Sequence, residues 1–115
     1  MTRALRRREL VMTTADLLNE IKSRLSRVHG SRLRGVVLYG SEARGQAGAD
    51  SDIDVLVLLQ DPVEYGRDLE NNLEALYPLS LELGRRISAK PVSAREYETI
   101  DCPLYRSAHE DGIAA

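Results

Sequence analysis

Leu33–Leu59 reads LRGVVLYGSEARGQAGADSDIDVLVLL. Its first seven residues are a short apolar, β-branched run ending at Gly40-Ser41, which predicts a buried strand feeding a tight turn. Glu42-Ala43-Arg44 predicts the start of a short helix, and loop-forming residues crowd Gly45 to Ser51. From Asp52 the chain is apolar on both faces after its first three residues, as expected of a strand in the middle of a sheet.

Upstream, Thr13-Thr14-Ala15-Asp16 caps an amphipathic helix whose apolar positions are Leu17, Leu18, Ile21, Leu25 and Val28, with Gly30 placed to stop it. Downstream, Asp61-Pro62 ends the central strand. Leu69, Leu73, Leu76 and Tyr77 then form an apolar helical stripe opposite Asp68, Glu70 and Glu74, and Pro78 bends or interrupts that helix. Arg86–Val92 predicts a third strand, at a sheet edge because Pro91 lacks the N–H of a central ladder. Ala94–Ile100 reads as a short helix, and Pro103 opens another that stops near Gly112. Interleaved strands and helices of this kind predict an α/β (α+β) protein: a small mixed β-sheet of about three to four strands flanked by helices.

The chain has 115 residues, 43% of them hydrophobic, and no Trp or Phe, which fits one domain with an aliphatic core. The expected organisation is a basic arm over residues 1–12 and a single domain over 13–115. No apolar run approaches the roughly 18 residues of a membrane span. The net charge of −2 conceals an asymmetry: residues 1–34 carry +6 and the remainder −8. An acidic body suits a divalent metal better than nucleic acid, and no direct nucleic-acid binding is expected. A lone Cys102 forms no internal disulfide, and the N-terminus has no signal-peptide pattern, so a cytoplasmic setting is expected.

The chemistry concentrates in Gly40-Ser41 followed, after ten intervening residues, by Asp52-Ile53-Asp54. Gly permits the sharp turn, and Ser41 Oγ shares the space with the first free N–H groups of the expected helix, a corner that suits phosphate. Asp52 and Asp54, two apart at the head of a strand, project from one sheet face with Cα atoms roughly 6.6 Å apart. Left unpaired they repel; a bound Mg²⁺, which takes one or two carboxylates and completes its shell with water and phosphate oxygens, removes the conflict. A chance match to these four residues is on the order of one in a thousand. The parts assemble a site for a nucleoside triphosphate with metal.

The segments Gly40-Ser41-Glu42-Ala43-Arg44-Gly45 and Ser51-Asp52-Ile53-Asp54-Val55-Leu56-Val57 resemble the signature of the polymerase β-like nucleotidyltransferase superfamily, in its minimal-nucleotidyltransferase branch. The resemblance implies that fold, with Asp52 and Asp54 holding Mg²⁺, Gly40 and Ser41 gripping the β and γ phosphates of ATP, and an acceptor oxygen attacking the α phosphorus. Arg44 could help hold the triphosphate or instead pair with Glu42 or Asp50.

One departure from the family pattern stands out. Many members carry a third carboxylate on the next strand, and Ile87–Val92 has none; Ser88 and Lys90 share the face nearest that position. Lys90 then serves another role, toward phosphate for example, or catalysis is slow, or the site binds without turnover. Glu82 reads as a surface residue. The resemblance further implies an antitoxin that transfers AMP to a tyrosine of a HEPN-type ribonuclease toxin and forms a hetero-oligomer with it. Neutralisation by contact alone and a small-molecule, aminoglycoside-type nucleotidyltransferase subunit are the alternatives. Shortness agrees with a partner that is itself the acceptor. His29 reads as a helix-terminal residue near the last carbonyls, His109 as a surface residue, and Tyr97 and Tyr105 as packing residues.

Overall fold

A computed structural model of the chain describes residues 12–48 and 50–115. The expected Arg-rich arm lies outside the described residues apart from Met12, which packs half-buried against the main core.

Helix α1 (Thr14–His29) begins at a capping box: the Thr13 hydroxyl accepts from the Asp16 N–H at 3.0 Å, and the Asp16 carboxylate accepts from the Thr13 N–H at 3.2 Å. Leu17, Leu18, Ile21 and Leu25 are buried as expected. Val28 is not: it is 43% exposed, and His29, one position further round the helix, takes the inward place. His29 Nε2 lies 2.6 Å from Asn72 Oδ1, so this histidine is a core hydrogen-bonding group and not one that merely faces terminal carbonyls. Gly30, at φ 57°, ends the helix, and a 3₁₀ turn over Gly30–Arg32 leads into the sheet.

Strands β1 (Leu33–Tyr39) and β2 (Ile53–Leu59) pair antiparallel, and β2 pairs parallel with β3 (Ile87–Ser93). A two-residue strand β4 (Ile113–Ala114) adds antiparallel to β1, giving the order β3-β2-β1-β4. The sheet is mixed, β2 is interior and β3 is an edge, where Pro91 leaves no interior ladder bond unmade. β4 was not legible beforehand, because two residues after Gly112 carry no period-2 pattern. Helix α2 (Tyr65–Leu83) joins β2 to β3; α3 (Ala94–Thr99) and α4 (Pro103–Asp111) follow β3.

Alternation along the strands sorts the core into two layers. Val36, Leu38, Ile53, Val55, Val57, Leu59, Ile87 and Ala89 pack against α1 and α2. Val37, Leu56 and Val92 face Tyr97 of α3 and Ala108 of α4. Tyr97 and Tyr105 pack edge-on with ring centroids 5.5 Å apart, and His109, exposed at the surface, stacks on Tyr97 at 4.1 Å.

Helix α2 departs from expectation in two respects. It continues through Pro78 to Leu83 without interruption. Its inward face is Asp68, Asn72, Leu76 and Leu79, whereas Leu73 and Tyr77 of the expected apolar stripe are 51% and 62% exposed. Specific partners account for this rotation. Arg32 donates to both Asp68 oxygens at 3.0 and 3.1 Å, and the Glu64 N–H donates to Asp68 at 3.0 Å. Asn72 receives His29 and donates to the Ala89 carbonyl at 3.0 Å. Buried polar groups so satisfied replace the apolar contacts that periodicity alone anticipated.

Candidate active site

The C-terminal end of β1 and the N-terminal ends of β2 and β3 lie side by side, with Tyr39 opposite Asp54 and Asp54 in register with Ser88. Asp54 points to the sheet face of α3 and α4, because its neighbours Ile53 and Val55 face α1 and α2. Asp54 is half-buried, and Asp52, just before the strand, is exposed. Burial, reinforced by the charge of Asp52, raises the Asp54 pKa above the usual carboxylate range; Lys90 on β3 pulls it back. Tyr39 is likewise pushed up, first by burial and then by Asp54.

Gly40 sits at φ 76°, a left-handed conformation that glycine adopts without strain. A Cβ on Gly40 would lie 2.7 Å from Asp54 Oδ2. The glycine is therefore needed twice, for the turn and for the room that brings the turn backbone against the carboxylate. Gly40 thus adjoins Asp54, with Ser41 next in the chain.

The expected short helix after Ser41 is absent. Residues Ser41–Gly45 form consecutive turns in which the N–H groups of Arg44, Gly45 and Gln46 donate to Gly40, Glu42 and Ser41 carbonyls at 3.2, 3.2 and 2.9 Å. Gly45, at φ 71°, and the loop after it stop helix propagation. Arg44 pairs with neither Glu42 nor Asp50; its Nε donates to Gln46 Oε1 at 3.2 Å, and the side chain is on an exposed residue.

Arg85, which sequence reasoning did not single out, organises this loop. Its Nη2 meets Glu42 Oε1 at 2.6 Å with both side chains largely covered, 16% and 15% exposed. Its Nε donates to the Ser51 carbonyl at 2.9 Å. One guanidinium at the α2–β3 junction thereby ties the turn after β1 to the residue preceding Asp52. The sole advance signal was an Arg directly after the helix-stopping Gly84.

Neither Asp52 nor Asp54 has an ion-pair partner within 4.0 Å among the described residues, and no third carboxylate, His or Cys joins them into a metal-binding cluster there. Glu82 is exposed on α2 and reaches Arg24 at 3.4 Å. Two adjoining carboxylates with no ion-pair partner within 4.0 Å among the described residues, the inner one raised in pKa first by burial and then by the other, are a donor set that fits Mg²⁺. Lys90, half-buried on the same face as Ser88, adds a positive charge beside them. No described helix is long and apolar enough to cross a membrane.

Comparison with known proteins agrees with this architecture. Over 50 residues the chain is 36% identical to the provisionally named protein adenylyltransferase MJ0141 of Methanocaldococcus jannaschii, covering 44% of this chain and 50% of that one. The matched segment thus spans half the length of that relative. Among solved structures, a toxin–antitoxin crystal structure with AMP-PNP superposes with TM-score 0.59 at 22% identity, over 84% of this chain and 72% of the other. A provisionally assigned minimal nucleotidyltransferase superposes with TM-score 0.52 at 26% identity, over 90% and 96% of the two chains. The family described as "Nucleotidyltransferase domain" matches residues 17–114, and the chain belongs to that family.

Proposed function

We propose that the chain is a Mg²⁺-dependent adenylyltransferase that transfers AMP from ATP to a tyrosine hydroxyl of a HEPN-type ribonuclease toxin and acts as its antitoxin. The observation that carries this reading is the carboxylate pair of Asp52 and Asp54, without an ion-pair partner among the described residues, of which Asp54 abuts the Gly40 turn. Support for adenylyl transfer comes from the name of the M. jannaschii relative, and for the antitoxin role from the toxin–antitoxin fold neighbour.

In this reading Asp52 and Asp54 hold the metal, Gly40 and Ser41 line the phosphate side, and exposed Arg44 swings toward the triphosphate from its contact with Gln46. The metal supplies charge stabilisation at the phosphoryl oxygens. The acceptor oxygen bonds to the α phosphorus, the bond from that phosphorus to the β-bridging oxygen breaks, pyrophosphate leaves, and the hydroxyl proton passes to solvent. Arg85 fixes the loop between the turn and the carboxylates, through Glu42 and the Ser51 carbonyl, which limits the reorientation needed when charge develops.

The test incubates α-labelled ATP, Mg²⁺, this chain and a HEPN-type ribonuclease from the same organism that the chain neutralises. Label on a tyrosine of the partner with wild type, and none with Asp52→Asn, is the expected result; equal labelling by both, or none by wild type, overturns it. A second reading, neutralisation by contact alone, is favoured by the lack of a third carboxylate at the site among the described residues. Neutralisation that survives Asp52→Asn with Asp54→Asn selects it.

A further inference from the structure

Helix α2 divides into four ridges of i, i+4 spacing. The ridge Asp68-Asn72-Leu76-Ser80 and its neighbour ending in Leu79 and Leu83 turn to the core. A third ridge, Tyr65-Leu69-Leu73-Tyr77-Leu81, turns outward: Tyr65, Leu73, Tyr77 and Leu81 are 53%, 51%, 62% and 63% exposed. These four are the majority of the seven exposed large hydrophobic residues among the described ones. Next to it runs Gly66-Glu70-Glu74-Pro78-Glu82, where Glu70 and Glu74 are exposed and Glu82 pairs with Arg24 at 3.4 Å.

An apolar i, i+4 ridge is the feature that fits into the groove of a second helix in the commonest mode of helix packing. Leaving two Leu and two Tyr more than half exposed is unfavourable unless something covers them. The acidic ridge alongside determines what can. A second copy docked ridge to ridge would bring Glu70 and Glu74 toward their own duplicates, at a Coulombic cost, whereas Lys or Arg beside the partner's apolar stripe would meet them favourably.

We propose that the outer face of α2 is a docking surface for a helix of another protein, one whose apolar stripe is flanked by basic residues. Because α2 covers the sheet face opposite Asp54, such a partner sits behind the candidate active site and leaves its mouth open. The surface rests on the ridge geometry and charge, not on nucleotidyl transfer, and it separates anchoring of a partner from access of an acceptor group.

The test places a photo-cross-linking amino acid at Leu73 or Tyr77, and at exposed Arg95 on the other face as control, in the full chain expressed in its native cells. Cross-linked peptides are sequenced, and the identified protein is purified for binding measurements. The expected outcome is a cross-link from positions 73 and 77, absent from 95, to a helical segment carrying Lys or Arg beside its apolar residues. Leu73→Ser with Tyr77→Ser should weaken that purified complex about tenfold or more, and Glu70→Lys with Glu74→Lys should weaken it as well. Cross-links to a second copy of this chain, to an acidic segment, or no more than at position 95 overturn the proposal. If the complex depends on the ridge but no AMP is transferred, the docking surface stands and the adenylyltransferase reading fails; if AMP transfer to the partner is unchanged and binding is undiminished in the ridge variants, the reverse holds.

Discussion

The Asp54 carboxylate occupies the space that a side chain at position 40 would need: a Cβ on Gly40 would fall 2.7 Å from Asp54 Oδ2. The turn after β1 and the carboxylate at the head of β2 are therefore in direct contact, across the ladder position that pairs Tyr39 with Asp54. Gly40→Ala combines a left-handed backbone cost of about 1–2 kcal/mol with displacement of the carboxylate. The expected outcome is a lower midpoint of urea unfolding, together with a loss of Mg²⁺-dependent nucleotide binding greater than the stability change explains, measured by titration calorimetry on folded protein.

Asp54 is charged against the preference of its surroundings, since burial and Asp52 both raise its pKa. Asp54→Asn relieves that repulsion. Metal-free Asp54→Asn should unfold at the same or a higher urea concentration than wild type, and added Mg²⁺ should raise the melting temperature of wild type only. A variant that loses stability without metal, or still gains it with Mg²⁺, contradicts the assignment of Asp54 as a metal-holding group.

Arg85 and Glu42 share a contact of 2.6 Å, and Arg85 also holds the Ser51 carbonyl. A double-mutant cycle of Arg85→Gln and Glu42→Gln should give a coupling of about 1–3 kcal/mol, because the pair is largely shielded from water. Arg85→Gln alone should raise the KM for ATP by loosening the loop between Gly40 and Asp52. Rescue of that KM by Arg85→Lys is expected to be partial, since Lys cannot hold Glu42 and the carbonyl at once.

The Asp68 carboxyl is held below its ordinary range, chiefly by the Arg32 guanidinium hydrogen bonds and then by the Glu64 N–H, against the opposing effect of burial. A depressed folded-state pKa stabilises the protein above the unfolded value, about pH 3.9, and the gain disappears as pH falls through the lower folded value. Asp68→Asn should cost about 1–3 kcal/mol at pH 7, because the Arg32 left behind is partly open to water. Urea unfolding from pH 7 to pH 2 should show wild type and Asp68→Asn converging in the acid range; parallel curves would mean the pair carries no such linkage.

Most elements were legible because their signals are local. The Thr13 cap, Gly30 stop, the β-branched run ending at Tyr39, the two-faced apolar strand after Asp54 and Pro103 each act through the backbone of their own neighbourhood. The motif residues Gly40, Ser41, Asp52 and Asp54 were legible for the same reason, since their spacing is along the chain. Failures occurred where a distant partner decides. The hydrophobic stripe of α2 pointed to Leu73 and Tyr77, but Arg32 and His29, more than thirty residues upstream, claim Asp68 and Asn72 and rotate the helix. The short helix at Glu42 was lost to a turn network and to Arg85, which no local pattern announces.

Sequence by itself determined the α/β class, the order of its main elements, the edge position of β3 and the pairing of a glycine turn with two carboxylates, because propensity, capping and periodicity are properties of contiguous residues. Tertiary structure alone decided how the parts face each other. It set Lys90 and Ser88 beside Asp54 through strand register, brought Arg85 onto the loop, added β4 to β1, and turned an apolar ridge of α2 to solvent. The physical reason is that ion pairs, buried hydrogen bonds and strand register join residues tens of positions apart, and their energies outweigh the small local preferences that a sequence displays.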